Sequence, residues 1–284
     1  MQRPTLDALL RLYHKYAGDL AAARRSQREL LFGAGRSMRA KLDDIEAEVT
    51  YLLLRERRPS TVVEIGTFDG WSTTWILTAL RDNGCGELRS FDIRDGVLRH
   101  VPDELAGDRW RFTAGDVRGM GMVESIPPST DYLFLDAAHS AAFARWYLAE
   151  LFPRLGSGVA EISSDPVQPP PIPRGATPTP VYQRQPVVDL ESGVPVDNRE
   201  PVDESADGTL VSVHDVFHRR RPLPLSEGAV LLKWLADKGI DYFTPSARRA
   251  PLANARLREL RAELGLDEPI RAGRANPMVF FELP

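Results

Sequence analysis

The groups in this sequence that can do chemistry are acids and imidazoles that follow short apolar runs. Glu64 stands two residues before Gly66, with Gly70 and Ser72 just beyond. Asp92 stands at the end of the run Glu87–Ile93, and Gly115-Asp116 follows Trp110-Arg111-Phe112-Thr113. Asp136 closes the run Asp131–Asp136, with His139 three residues later, and His214-Asp215 lies within the β-branched run Leu210–Phe217. Glycines after a strand leave room for backbone N–H groups to approach an anionic or polar ligand, best at a helix start. Carboxylates at strand tips accept hydrogen bonds from ligand hydroxyls. An imidazole can take up a proton near neutral pH.

Elements of the right kind surround these groups. Thr61-Val62-Val63 and Ile65 have the β-branched character of a buried strand. Trp71, Trp75, Ile76, Leu77 and Leu80 recur at helical spacing after the glycines. The stretch 61–80 therefore predicts strand, tight glycine loop and helix. A dinucleotide fingerprint needs its first two glycines two positions apart; Gly66 and Gly70 are four apart. Asp92 follows the loop at the distance of the ribose-binding acid of nucleotide-binding folds. Each feature alone has a plainer reading, an ordinary βα turn or a strand-terminal aspartate.

The rest of the chain predicts alternating helices and strands. Residues 1–57 predict helices, a first with Leu6, Leu9, Leu10, Leu12 and Tyr13 as its stripe, continued by Leu20 to Leu31, and one from about Met38 to Arg57. The latter packs beside the first strand; the former serves as a lid, a dimer contact or a cover for the core. A helix carrying Phe143, Trp146, Tyr147, Leu148 and Leu151 follows Asp136 and is closed by Gly156 and Gly158. The strand expected next, Leu210–Phe217, comes after a proline-rich insertion at about 159–208, far beyond an ordinary αβ loop. A helix over Leu225–Lys238, a strand over Ile240–Thr244, a charged helix over Leu252–Leu264 and a last strand over Pro277–Leu283 complete the chain.

Composition narrows the function classes. The 284 residues are 43% hydrophobic, ordinary for a folded chain, and the formal net charge of −4 argues against a general nucleic-acid surface. One cysteine, Cys85, excludes a disulfide framework and a cysteine zinc cluster. No apolar run spans a bilayer and no signal-peptide h-region opens the chain, so a cytoplasmic location is expected, without membrane partners.

In order, E-I-G-T-F-D-G-W-S, F-D-I, G-D-V, L-F-L-D-A-A-H-S and V-H-D-V-F resemble the class I S-adenosylmethionine (SAM) methyltransferases. The nearest branch has D-x-x-H-S and H-D motifs and includes small-molecule and sugar O-methyltransferases and cephalosporin-hydroxylase-like proteins. The resemblance implies an α/β fold with a Rossmann-like, doubly wound, seven-stranded sheet and an antiparallel last strand. Residues 58–284 would form this domain, and 1–57 an N-terminal helical segment. It implies SAM as cofactor, with the amino-acid end over Gly66, Thr67, Phe68 and Gly70 and its ammonium near Glu64. Ser72 would lie at the helix start, Asp92 at the ribose hydroxyls with Ile93 beside it, Gly115 and Asp116 at the adenine amino group, and Asp136 beyond.

The reaction implied is methyl transfer to a small molecule, foremost to a natural-product or sugar hydroxyl. A protonated alcohol is a poor nucleophile, so a base or a metal is needed. His139 is the first choice of base and His214 the second. Metal-dependent relatives place ligands at positions corresponding to Asp136, His214 and Asp215, but His214 replaces an expected oxygen ligand, which suits magnesium poorly. Transfer to nitrogen, a catalytically silent SAM-binding protein and an NAD(P) oxidoreductase are the rivals; the missing G-x-G-x-x-G speaks against the last. His218 and Arg219-Arg220-Arg221 are a further basic cluster, and the N-terminal helices could also join two copies of the chain.

Overall fold

The structure, a computed structural model, describes residues 4–33, 38–119, 121–155, 208–214, 226–271 and 278–283. The expectations for Asp215, His218, the arginines at 219–221, Gly156, Gly158 and nearly all of the proline-rich insertion lie outside the described residues.

Seven strands form one sheet. They are β1 (Thr61–Ile65), β2 (Glu87–Asp92), β3 (Trp110–Ala114), β4 (Tyr132–Leu135), β5 (Leu210–Val213), β6 (Tyr242–Phe243) and β7 (Val279–Glu282), in the spatial order β3-β2-β1-β4-β5-β7-β6. The first five run parallel, and β7 lies antiparallel between β5 and β6. This is the doubly wound sheet with an inverted last strand that the sequence implies. Ile65 pairs with Phe91 and with Leu135, and Leu135 with Val213. Backbone bonds extend this row by one residue: Gly66 N donates to Phe91 O, Asp136 N to Ile65 O, and His214 N to Leu135 O. Register alone therefore brings Gly66, Asp92, Asp136 and His214 to one edge.

Helices cover both faces. Alternation along each strand sends Val62 and Phe134 to one face and Val63, Leu133 and Leu135 to the other, because successive side chains in a strand point to opposite sides. The first face meets α1 (Leu6–Lys15), α2 (Ala17–Phe32), α3 (Asp44–Arg57), α4 (Trp71–Asn83), the short α5 (Asp103–Ala106) and α8 (Pro251–Glu263); the second meets α6 (Ala141–Trp146) and α7 (Glu227–Lys238). Trp75 is fully buried, with Tyr51 and Trp71 edge-on to it. Burial of a side chain this large stabilises by roughly 2–3 kcal/mol.

Several expected boundaries move. The helix predicted from Met38 starts at Asp44, because Asp43 and Glu46 form a reciprocal capping box: Glu46 N donates to Asp43 Oδ1 and Asp43 N to Glu46 Oε2, both at 3.1 Å. Residues 38–43 are thereby freed to run over the sheet edge. The helix after Asp136 ends at Trp146 and continues as a π-helical turn over Tyr147–Leu151 and a 3-10 turn over Phe152–Arg154. The described part of the fifth strand stops at Val213.

The N-terminal helices are tied in by buried charges. Glu48 of α3 accepts from Arg261 of α8 through Nε (2.7 Å) and Nη2 (3.0 Å), from Tyr13 Oη of α1 (2.9 Å), and from Arg24 of α2. Asp44 pairs with both arginines and accepts from the backbone N of Ile270 and Arg271. Among the described residues, no helix is long and apolar enough to cross a membrane.

Candidate functional site

Gly66 and Gly70 have φ of +90° and +94°, and Phe68 between them +49°. At Gly66 the left-handed backbone coincides with close approach: a Cβ there would stand 1.9 Å from the carbonyl oxygen of Asp136. Only glycine fits where the tips of β1 and β4 crowd this closely. Asp92 Oδ2 braces the loop by accepting from Thr67 N at 2.7 Å and Phe68 N at 2.9 Å, while Oδ1 accepts from Arg94 N at 3.0 Å. Thr67 Oγ1 is 3.2 Å from the same Oδ2.

Glu64, expected near a cofactor ammonium, lies beneath the loop and not at its surface. Its side chain is wholly buried and accepts from Ser72 Oγ (2.6 Å), Thr73 Oγ1 (2.8 Å) and Ser90 Oγ (2.7 Å). Burial pushes its carboxyl up to about 7, against the pull of these three hydroxyls. It fastens β1 to the start of α4 and to β2 from beneath. The hydroxyl of Ser72 is engaged in the same way.

Above the loop lies an open cleft of about 840 Å³ that crosses the tips of β3, β2, β1 and β4. Of the expected cofactor-binding residues, Gly115 and Asp116, Asp92 and Ile93, Gly66 and Phe68, and Asp136 line it in that order; Glu64, Thr67, Gly70 and Ser72 do not. Ile93 is 70% exposed, an apolar side chain presented at the cleft. Asp116 is paired with Arg118, which holds its carboxyl below the usual range.

At the β4 end, Asp136 Oδ1 is 2.9 Å from His214 Nδ1 and 3.3 Å from His139 Nε2. The first is an ion-pair distance without the alignment of a hydrogen bond. Burial would raise Asp136; His214 and then His139 and Lys41 outweigh it and hold it below the usual carboxylate range. Burial would lower His214, but Asp136 and Glu46 raise it well above the ordinary imidazole value. His214 Nε2 faces Glu46 Oε2 at 3.5 Å, and His139 Nδ1 faces Glu227 Oε2 at 3.4 Å. The His139 backbone is left-handed, φ +43°. Ser140, the N-cap of α6, bridges Ser226, the N-cap of α7, so two helix N-termini meet beside Asp136 and Glu227. The π-helical turn brings the buried Tyr147 hydroxyl near Glu227, without an aligned hydrogen bond.

Both expected imidazoles thus meet at Asp136. The third expected metal ligand, Asp215, lies outside the described residues. Among the described residues no three histidine, cysteine or acidic side chains are arranged to hold a metal ion. Glu227, Glu46, Arg39 and Lys41 are neighbours that sequence reading did not supply. For Glu227 the local signal was Ser226-Glu227 opening a helix; for the others, partners far along the chain leave no local mark.

Residues 63–162 match the model of a methyltransferase domain. Among curated proteins none matches the chain. Solved structures similar to it include an O-methyltransferase from Bacillus cereus in complex with S-adenosylhomocysteine (SAH), at 10% identity over 94% of this chain and 90% of that one, TM-score 0.42. SAH-bound methyltransferase PaMTH1 from Podospora anserina is 14% identical over 80% and 82%, TM-score 0.42. O-methyltransferase TomG from Streptomyces achromogenes, involved in tomaymycin synthesis and bound to SAM, is 15% identical over 80% and 82%, TM-score 0.38.

Proposed function

We propose that this chain, whose residues 63–162 match a methyltransferase domain, is a class I SAM-dependent methyltransferase that methylates a hydroxyl of a small natural-product or sugar acceptor. The observation that carries the reading is the cleft itself. It crosses four parallel strand tips over a left-handed glycine loop and ends at Asp136, which His139 contacts.

The residues present suit the cofactor. Gly66 lets the tips of β1 and β4 close up under the cleft, Asp92 offers a carboxylate to ribose hydroxyls, Ile93 an apolar surface to adenine, and Asp116 an acceptor to its amino group. Asp136, rather than the enclosed Glu64, is the carboxylate placed to meet an ammonium at the loop end. When bound, SAM supplies an electrophilic methyl on a sulfonium. The chain's task is then to aim the acceptor, exclude water and remove its proton. His139, with a side chain 24% exposed, takes that proton, and Glu227 behind its Nδ1 holds the ring.

Calorimetric titration with SAH, then the same titration and a transfer assay on His139→Ala over a panel of hydroxyl acceptors, tests the reading. Micromolar affinity in both proteins, with turnover only in the wild type, is the expected result. Undetectable SAH binding overturns the assignment. Binding without wild-type turnover on any hydroxyl or amine acceptor turns the reading to a silent SAM-binding protein.

A further inference from the structure

We infer that Lys41 recognises the carboxylate of the cofactor's amino-acid end, from the segment 38–43 that crosses the glycine loop. This rests on the cofactor reading above.

The segment is fixed at three points. The Arg39 guanidinium grips Asp69 of the loop through Nε (2.7 Å) and Nη2 (3.1 Å), and Arg39 N donates to the same carboxylate at 3.0 Å. Leu42 O accepts from Trp71 Nε1 at 3.2 Å. Asp43 is locked in the capping box of α3. Lys41 lies between these anchors, so its backbone position is set before any ligand arrives. Its Nζ stands 4.9 Å from the ring centroid of Phe68, and the Arg39 guanidinium stands 4.2 Å from the same ring. Phe68 lines the cleft.

The charges around this end differ in how far they are matched. Arg39 is paired with Asp69, and His139 and His214 face Asp136. Among the described residues the Lys41 ammonium has neither a hydrogen bond nor an ion pair, only the Phe68 ring. Its charge nevertheless reaches Asp136. The amino-acid end of the cofactor is a zwitterion. With the adenosine assigned to the β2–β3 end, that zwitterion falls at the β1–β4 end, where Asp136 complements the ammonium and Lys41 the carboxylate. An ammonium resting on an aromatic face loses little by turning to a carboxylate, since a charge-assisted hydrogen bond is the stronger contact.

The test compares two ligands that differ only in the carboxylate: SAH and S-adenosyl-3-thiopropylamine, its decarboxylated form. Calorimetry on wild type, Lys41→Ala and Lys41→Arg gives a cycle that isolates the contact. Wild type should prefer SAH by about tenfold or more. Lys41→Ala should lose that preference through weaker SAH binding alone, with the thiopropylamine unchanged, and Lys41→Arg should recover most of it. Equal weakening of both ligands, or an unchanged preference in Lys41→Ala, overturns the inference while leaving the cofactor reading intact. Absence of binding by either ligand to wild type overturns both.

Discussion

His214 and Asp136 face each other across the tips of β5 and β4, with Nδ1 2.9 Å from Oδ1 and both side chains largely buried. On its other side His214 meets Glu46, itself committed to the N-terminus of α3 and to the backbone N of Met278. Removing the imidazole leaves two enclosed carboxylates without their shared counter-charge. His214→Ala should therefore cost about 3 kcal/mol, the scale for breaking a buried pair. Urea unfolding of the single and double variants with Asp136→Asn checks this. If the double variant is not more stable than the sum of the single effects allows, the two residues are not coupled.

Glu64 gives stability a pH dependence of definite sign. Its folded carboxyl, raised to about 7 by burial, holds its proton more tightly than in the unfolded chain. The associated stability is full below the unfolded value of about 4.3 and is lost as pH rises through about 7, a change on the order of 3 kcal/mol. Unfolding free energies of wild type and Glu64→Gln across this range should converge or cross as pH rises. A constant difference would mean that Glu64 ionises as it does in the unfolded chain.

At Gly66 the substitution to alanine meets both a left-handed backbone and the Asp136 carbonyl. The loop must shift, and the cleft with it. We expect Gly66→Ala to lower the thermal midpoint by several degrees, as a loss of about 2 kcal/mol would, and to abolish measurable SAH binding. A stable variant that still binds would show that the tips of β1 and β4 can separate without consequence.

Asp92→Asn tests the brace under the loop. Oδ2 accepts from two backbone N–H groups as well as the Thr67 hydroxyl, and Oδ1 accepts from a third backbone N–H. An amide cannot accept on both sides, so one donor is left facing an NH₂ group. A loss of about 1–2 kcal/mol in stability and an SAH affinity at least about tenfold weaker are expected. Asp92→Glu, which keeps the charge but lengthens the arm, should not restore binding.

The strand–loop–helix at 61–80 was legible because its signals are local: β-branched residues, glycines and helical spacing lie within one short stretch. The acids at 92, 116 and 136 were legible because strand tips in a parallel sheet must meet at one edge. The role of Glu64 was not, since only the fold shows that Ser90, far along the chain, closes over it with Ser72 and Thr73. The start of α3 could have been found, because Asp43-x-x-Glu46 is a capping-box pattern. The partnerships Arg39–Asp69, His139–Glu227 and His214–Glu46 join residues from separate elements, and no local periodicity encodes them.

The buried cluster of Arg24, Asp44, Glu48 and Arg261 bears on how this molecule can be dissected. A fragment trimmed to the stretch that matches the methyltransferase domain, 63–162, would carry none of those four residues and would lose α3, whose Ile45, Val49 and Leu52 belong to the core on one face of the sheet. A fragment cut only at the front would keep Arg261 but strip away both of its buried counter-charges. Likeness and foldability therefore have different borders in this chain: the part by which it is recognised is smaller than the part that must be expressed together for the recognised part to exist.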